Sequence, residues 1–294
     1  MTLQQQFSAK IADMIAQSAN LSLDARRKLL EMLDAVRKEI VVRLASMNTS
    51  SFTAAQLQVL KGQIDVLFNK FSADATKLLD SYEAQEFTLG SQTIVQPISV
   101  LGTPSLGQIS TSALTIAQAY TADLVTGLST DASAKVNAAI ARAFFGGQQI
   151  TDIITQMGNA IGGDKFNGIF DALGRRVTTI ALNELLRVQS IAAQARLEDA
   201  FTRHPDLQKQ WRHLNLARVP RPGHIAADKQ VVNVKQPFIV EGEALMYPRD
   251  PSGSAGNTIN CHCMTAPYFP PELLKPTAKQ KGLLESLGIS VTAA

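Results

Sequence analysis

The chain has 294 residues, 45 % of them apolar and 18 % charged, which is enough apolar material for a sizeable core and excludes global disorder. Its formal charge of +3, from 28 basic and 25 acidic side chains, is too small an excess to argue for nucleic-acid binding by itself. Two cysteines rule out a secreted disulfide framework, so a reducing site of synthesis is expected. The N-terminus has no basic segment leading into an apolar run, and no stretch of about 18 apolar residues exists, so neither a signal peptide nor a membrane span is expected.

The first 95 residues read as helices. A short one is expected over 4–18, and Ser22 or Asp24 can start the next, with Leu29, Leu33, Val36, Ile40, Leu44 and Met47 on one face. Thr53 and Gln56 have the form of a capping box. The helix they open carries Leu57, Leu60, Ile64, Leu67, Phe71 and Leu78, a spacing close to a heptad. Two long antiparallel helices are expected, packed as an ordinary bundle or offering a docking face to a partner's helices.

Residues 91–109 hold Ser, Gln, Thr, Pro97, Pro104, Gly102 and Gly107 and read as a linker. Shorter helices are expected near 110–126, 131–145 (capped by Asp131 or Ser129) and 148–161, punctuated by Gly146-Gly147 and Gly162-Gly163. The longest helix is expected at about 165–202, where the stripe Phe166, Phe170, Leu173, Val177, Ile180, Glu184, Val188, Ile191 and Ala195 has one acid at its centre. From 211 to 264 the helical period stops. Short β-type runs at 230–234, 237–240, 244–247 and 258–261 alternate with turn residues such as Glu241-Gly242-Glu243. The tail, 270–294, has room for one short helix near 277–287.

The expected class is therefore α+β: a mostly helical N-terminal two-thirds with long antiparallel helices, then a small antiparallel β module packed on a long helix. The expected division is 1–95 a helical hairpin or bundle, 96–164 linker and short helices, 165–269 long helix plus module, and 270–294 tail.

All four histidines (His204, His213, His224, His262), both cysteines and the single tryptophan, Trp211, lie between 204 and 263. A small loop-rich module gains from a structural metal, because it cannot bury much core by itself. Cys261, Cys263 and His224 would supply three ligands to zinc, and His262, His213 or Asp250 the fourth. The Cys-x-Cys spacing is narrower than the usual zinc knuckle, and this favours two small thiols packed on one sheet face. A nucleophilic cysteine paired with His224 is a third reading, without a recognisable oxyanion loop or orienting acid. Arg218 and Arg221 sit in a basic, turn-rich run that could bind phosphate or carboxylates. A clamp of Arg218 or Arg221 on Glu184 accounts for both the arginines and the odd acid.

The order Trp211, Arg218-Val219-Pro220-Arg221-Pro222-Gly223-His224, Ala226-Ala227-Asp228, Val231, Phe238, Gly242, Leu245, Tyr247-Pro248, Asp250-Pro251 and Ile259-Asn260-Cys261-His262-Cys263 resembles the C-terminal motif of the Mu protein F-like, or SPP1-type, phage head morphogenesis proteins. The preceding Arg176, Ile180-Ala181 and Asn183-Glu184 resemble that family's preceding helix, with Asn183 where a threonine is usual. His262 stands where an arginine is usual, and Asn215-Leu216 where an acid is often found. The resemblance covers about 90 residues and implies a low-copy minor head protein near the portal, assembled in the bacterial cytoplasm into the virion and active in head assembly without catalysis. It implies portal and capsid or scaffold proteins as partners. DNA binding through Arg26-Arg27, Arg37-Lys38 and Arg175-Arg176, and an enzyme built on the Cys/His cluster, are the alternatives.

Overall fold

The computed structural model describes residues 2–46, 53–101, 106–146, 149–158, 168–214 and 219–274. The fold is α+β and mostly helical. The helices are α1 (Leu3–Ala45), α2 (Ala54–Ile98), α3 (Ser112–Phe145), α4 (Ile150–Met157), α5 (Ile169–Phe201), α6 (Pro222–Ala226) and α7 (Ala255–Thr258). The strands are β1 (Gln208–Arg212), β2 (Val231–Asn233), β3 (Phe238–Val240), β4 (Glu243–Leu245) and β5 (Met264–Tyr268). Among the described residues, no helix is long and apolar enough to cross a membrane.

The chain forms two compact units, each assembled from separated stretches: residues 21–83 with 114–185, and residues 1–20 with 84–113 and 186–294. In the first unit α1 and α2 run antiparallel, as expected. The amine of Lys28 donates to the Tyr82 hydroxyl at 2.7 Å, and that hydroxyl in turn donates to Asp24. The capping box forms: the Gln56 amide N–H donates to Thr53 Oγ1 at 3.3 Å, and the Thr53 N–H to Gln56 Oε1 at 2.7 Å. The buried stripe of α2 departs from the heptad. It runs Leu57, Leu60, Ile64, Phe68, Phe71, Ala75, Leu79 and Tyr82, leaving Leu67 and Leu78 at its margin. Steps of 3-4-4 average about 3.67 residues per turn, slightly closer to the 3.6 of an ideal helix than the 3.5 of a heptad. Helix α1 buries Ala25, Leu29, Leu33, Val36, Ile40 and Leu44 with the same steps.

Several expected breaks are continuous helix instead. Ser22 and Asp24 lie inside α1, Ser129 and Asp131 inside α3, and residues 91–98 inside α2. In these places residues suited to capping sit inside a continuing helix. Ser22 and Ser129 are buried, while Asp131 pairs with Lys135 at 2.8 Å and Arg176 at 2.5 Å. The expected helix near 165 starts at Ile169, that near 148 is the eight-residue α4, and the helix expected near 277–287 lies outside the described residues.

In the second unit the segment expected as linker is helical to Ile98, then held at Gly107. Its N–H donates to Asp199 at 3.1 Å, and its carbonyl accepts from Arg196 at 2.7 Å. The β module packs on the second half of α5, where Ala193, Leu197 and Ala200 meet Leu207, Val234 and Ala266. Its main sheet has the order β2-β1-β5, antiparallel throughout, with Trp211 opposite Thr265 and Gln210 opposite Val231. A hairpin, β3-β4, turns at Glu241 and Gly242, whose φ of 51° and 82° match a two-residue turn that needs both positions left-handed. The expected strand at 258–261 is instead the end of α7 and a turn. Strands β1 and β5 went unread because Gln-Lys-Gln-Trp-Arg is mostly polar and Met-Thr-Ala-Pro-Tyr carries Pro267, which the edge position of β5 tolerates.

Candidate metal centre

Helix α6 sets the first side chain of the site. Arg221 precedes it, Pro222 opens it and His224 lies on its buried side, 2 % exposed. The ring of His224 packs edge-on against Trp211 of β1, with centroids 5.9 Å apart, and Trp211 packs in turn against Phe238 at 5.4 Å. The Asn257 amide of α7 donates to the Val240 carbonyl at 3.4 Å, so its side-chain carbonyl faces His224 Nε2 at 3.2 Å. That carbonyl needs a proton on Nε2, which leaves Nδ1 as the atom turned to the thiols.

Cys261 and Cys263 follow α7 in irregular chain, not in a strand, and both are buried. The turn before them is made at Asn260, in the left-handed region at φ 56°. The guanidinium of Arg249 donates to the carbonyls of Cys261 and Cys263 at 2.6 and 2.9 Å and to the Ser190 hydroxyl of α5 at 2.7 Å. With both carbonyls drawn to one group, both thiols point to the other side. Their sulfurs lie 3.6 and 3.5 Å from His224 Nδ1. Cys263 Sγ is also 3.5 Å from Nδ1 of His213, which follows β1 and is held by its own N–H to Asp228 at 2.9 Å.

The electrostatics concentrate negative charge on sulfur. The Cys263 thiol beside it, the His224 ring and the Arg249 cation hold the Cys261 thiol well below the usual thiol range. Cys263, which donates to Cys261 and is itself buried, is pushed up. The neighbouring Cys261 sulfur raises His224 against the pull of burial.

Of the residues singled out from sequence, His224, Cys261 and Cys263 come together with donor atoms all within 4.8 Å of one another. His262 lines the same pocket, of about 400 Å³, with His213 and Arg221, but the second imidazole that meets a thiol is that of His213. Asp250 is engaged elsewhere: it accepts from the backbone of Met246 and Ser252 and from the Ser252 hydroxyl, closing a turn. Arg221 donates to the Ile259 carbonyl at 2.5 Å, and Glu184, buried as its place in the stripe implied, accepts from Asn183 at 3.0 Å. Arg218 lies outside the described residues. The fully buried arginine of the thiol loop is Arg249, in the left-handed region at φ 66°. The sequence reading passed over it, although it stands inside the turn-rich Tyr247-Pro248-Arg249-Asp250-Pro251 run.

A stretch of 110 residues, 36 % of this chain, is 32 % identical to the uncharacterized protein YqbB of Bacillus subtilis (strain 168). The match spans 35 % of that relative's length, and its name assigns no activity. No protein-family profile matches the chain, and no solved structure does.

Proposed function

We propose that this chain is a non-catalytic minor head protein of a tailed phage or prophage, of the Mu protein F-like type, acting in head assembly beside the portal. One observation carries the reading. Six of the residues that carry the resemblance, Trp211, His224, Phe238, Leu245, Cys261 and Cys263, lie in the buried interior of the small module. A motif whose members are packed together this way needs no substrate to account for it. The long helices then supply surface for partners, with exposed apolar side chains such as Val42, Val59, Val66 and Phe145 on them.

The ion pairs of the helices favour this reading over DNA binding. In the three basic pairs that suggested phosphate contact, Arg27 is tied to Asp24 and Glu31, Arg37 to Asp34, and Arg176 to Asp131. Cations already facing carboxylates release fewer counterions on meeting a phosphate backbone. The test is affinity capture of the tagged chain from a lysate in which the phage is assembling. Co-purification of portal or capsid protein is expected, and recovery of neither overturns the proposal.

A further inference from the structure

We propose that Cys261, Cys263, His224 and His213 bind a structural zinc ion as a tetrahedral Cys2His2 centre, each histidine ligating through Nδ1. The inference stands on the geometry of the module and holds whatever the fate of the phage-head reading.

The distances fit the ion. Zinc–sulfur bonds of about 2.3 Å and zinc–nitrogen bonds of about 2.0–2.1 Å, at a tetrahedral angle, set sulfur and nitrogen about 3.5 Å apart. Three of the four sulfur–nitrogen edges of the centre already have this length, 3.6, 3.5 and 3.5 Å, and His213, which lies outside the 4.8 Å group of His224, Cys261 and Cys263, moves in on binding to close the fourth. Thiol hydrogen bonding alone leaves this arrangement underused. Nδ1 of His224 has one lone pair, and two thiols converge on it. A cation accepts the lone pairs of all the converging atoms at once. Two thiolates and two imidazoles are the donor set that zinc favours among common divalent ions.

The surroundings have the form of a ligand-orienting layer. Asn257 holds the far nitrogen of His224, as second-layer carbonyls do for ligating histidines. Arg249 solves the problem of the one-residue spacer. It draws the carbonyls flanking His262 to a single guanidinium, so two thiols too close in sequence for an ordinary knuckle still converge. His213 is the better fourth ligand than His262, since its ring nitrogen already sits at the ligand-edge distance from Cys263. Binding is an exchange of protons, not a redox step: two protons leave the Cys261–His224–Cys263 cluster for solvent as two zinc–sulfur bonds form.

The test uses the full-length purified chain. Elemental analysis is expected to find about one zinc per chain, and cobalt substitution to give the intense visible bands of a tetrahedral site together with thiolate-to-cobalt charge transfer. His213→Ala is expected to weaken metal binding at least about 10-fold in a chelator competition, while His262→Ala leaves it unchanged. His213→Cys, which restores a donor, is expected to recover binding and strengthen the charge-transfer band. A wild-type chain that takes up neither zinc nor cobalt in stoichiometric amount overturns the centre. Loss of metal in His262→Ala with retention in His213→Ala overturns the ligand set.

Discussion

His224 turns its Nε2 to the side-chain carbonyl of Asn257, 3.2 Å away, and by doing so presents Nδ1 to two buried sulfurs. The ring cannot flip to offer the other nitrogen without breaking that bond. If the centre binds zinc, Asn257→Ala should lower metal affinity by roughly 10–100-fold, the usual effect of removing a ligand's hydrogen-bond partner. Asn257→Asp, which keeps an acceptor at the same place, should lose far less. Competition with a colorimetric chelator separates the two, and equal loss in both variants would refute an orienting role.

Arg249 is a buried cation whose described hydrogen bonds run to the carbonyls of Cys261 and Cys263 and to the Ser190 hydroxyl. Its removal leaves buried acceptors without their donor, so Arg249→Met should cost about 3–5 kcal/mol. Arg249→Lys should recover only part of this, because an ammonium lacks the planar fork that reaches several acceptors together. Trp211 is the only tryptophan and lies in this module, so its fluorescence in a urea titration reports the unit directly. A lysine variant as stable as the parent would show that the fork is unnecessary.

Glu83 makes the helical unit pH-sensitive. It is fully buried, one carboxylate oxygen accepts from Thr121 at 2.6 Å and the other has no hydrogen-bond partner. Burial, with the charges of Asp80 and Glu184, pushes its pKa from 4.5 up to about 7 against the pull of the Thr121 hydroxyl. The folded chain therefore keeps a proton that the unfolded chain gives up. Its stabilising contribution is complete below pH 4.5 and is lost as the pH rises through about 7. Glu83→Gln should accordingly stabilise the chain at pH 8, by roughly 1–3 kcal/mol, and change little at pH 4. Thermal melts followed by circular dichroism at the two pH values give the comparison. A stabilisation that is larger at the acidic pH would contradict the sign.

Gly90 marks a close approach of α2 to α5. A Cβ built there would collide with the Gln189 carbonyl and the Ala192 side chain. Helix propensity alone favours alanine over glycine by about 0.8–1.0 kcal/mol. Overpacking opposes it by about 1–3 kcal/mol or more, so Gly90→Ala should destabilise. The sign is the test: a higher melting temperature in the alanine variant would mean that the two helices part easily at this point.

Local patterns carried much of this fold. The stripe of α1 from Leu29 to Leu44, the Thr53–Gln56 box and the Glu241-Gly242 turn follow from side-chain period and backbone preference within a few residues, and each is present, while Met47 lies outside the described residues. Patterns whose meaning depends on a distant partner were misread. Residues 91–109, with Pro97, Gly102, Pro104 and Gly107, suggested a linker, yet α2 runs on to Ile98, and Gly90 just before this stretch admits the backbone of α5. Ser129 and Asp131 have the chemistry of helix caps, but a buried position and an ion pair with Arg176 keep them inside α3. Strand β1 shows no apolar alternation because Lys209 occupies a buried position, where its amine donates to the Met246 carbonyl at 2.7 Å and to Gln194 at 3.1 Å.

The same division holds for the site. Sequence alone determined which residue types were available: the Cys/His cluster is confined to one module, and Cys261, Cys263 and His224 stand out by type, although the one-residue spacing of the thiols argued for simple packing. Tertiary structure decided which of them meet, and on what terms. It turned two thiols one residue apart to the same side by tying their carbonyls to Arg249, brought His213 to Cys263 and committed Asp250 to a turn. The physical reason is that spacing along the chain sets only the reach of neighbouring side chains. The direction in which a donor atom points is set by hydrogen bonds from elements far away in sequence, which no local period records.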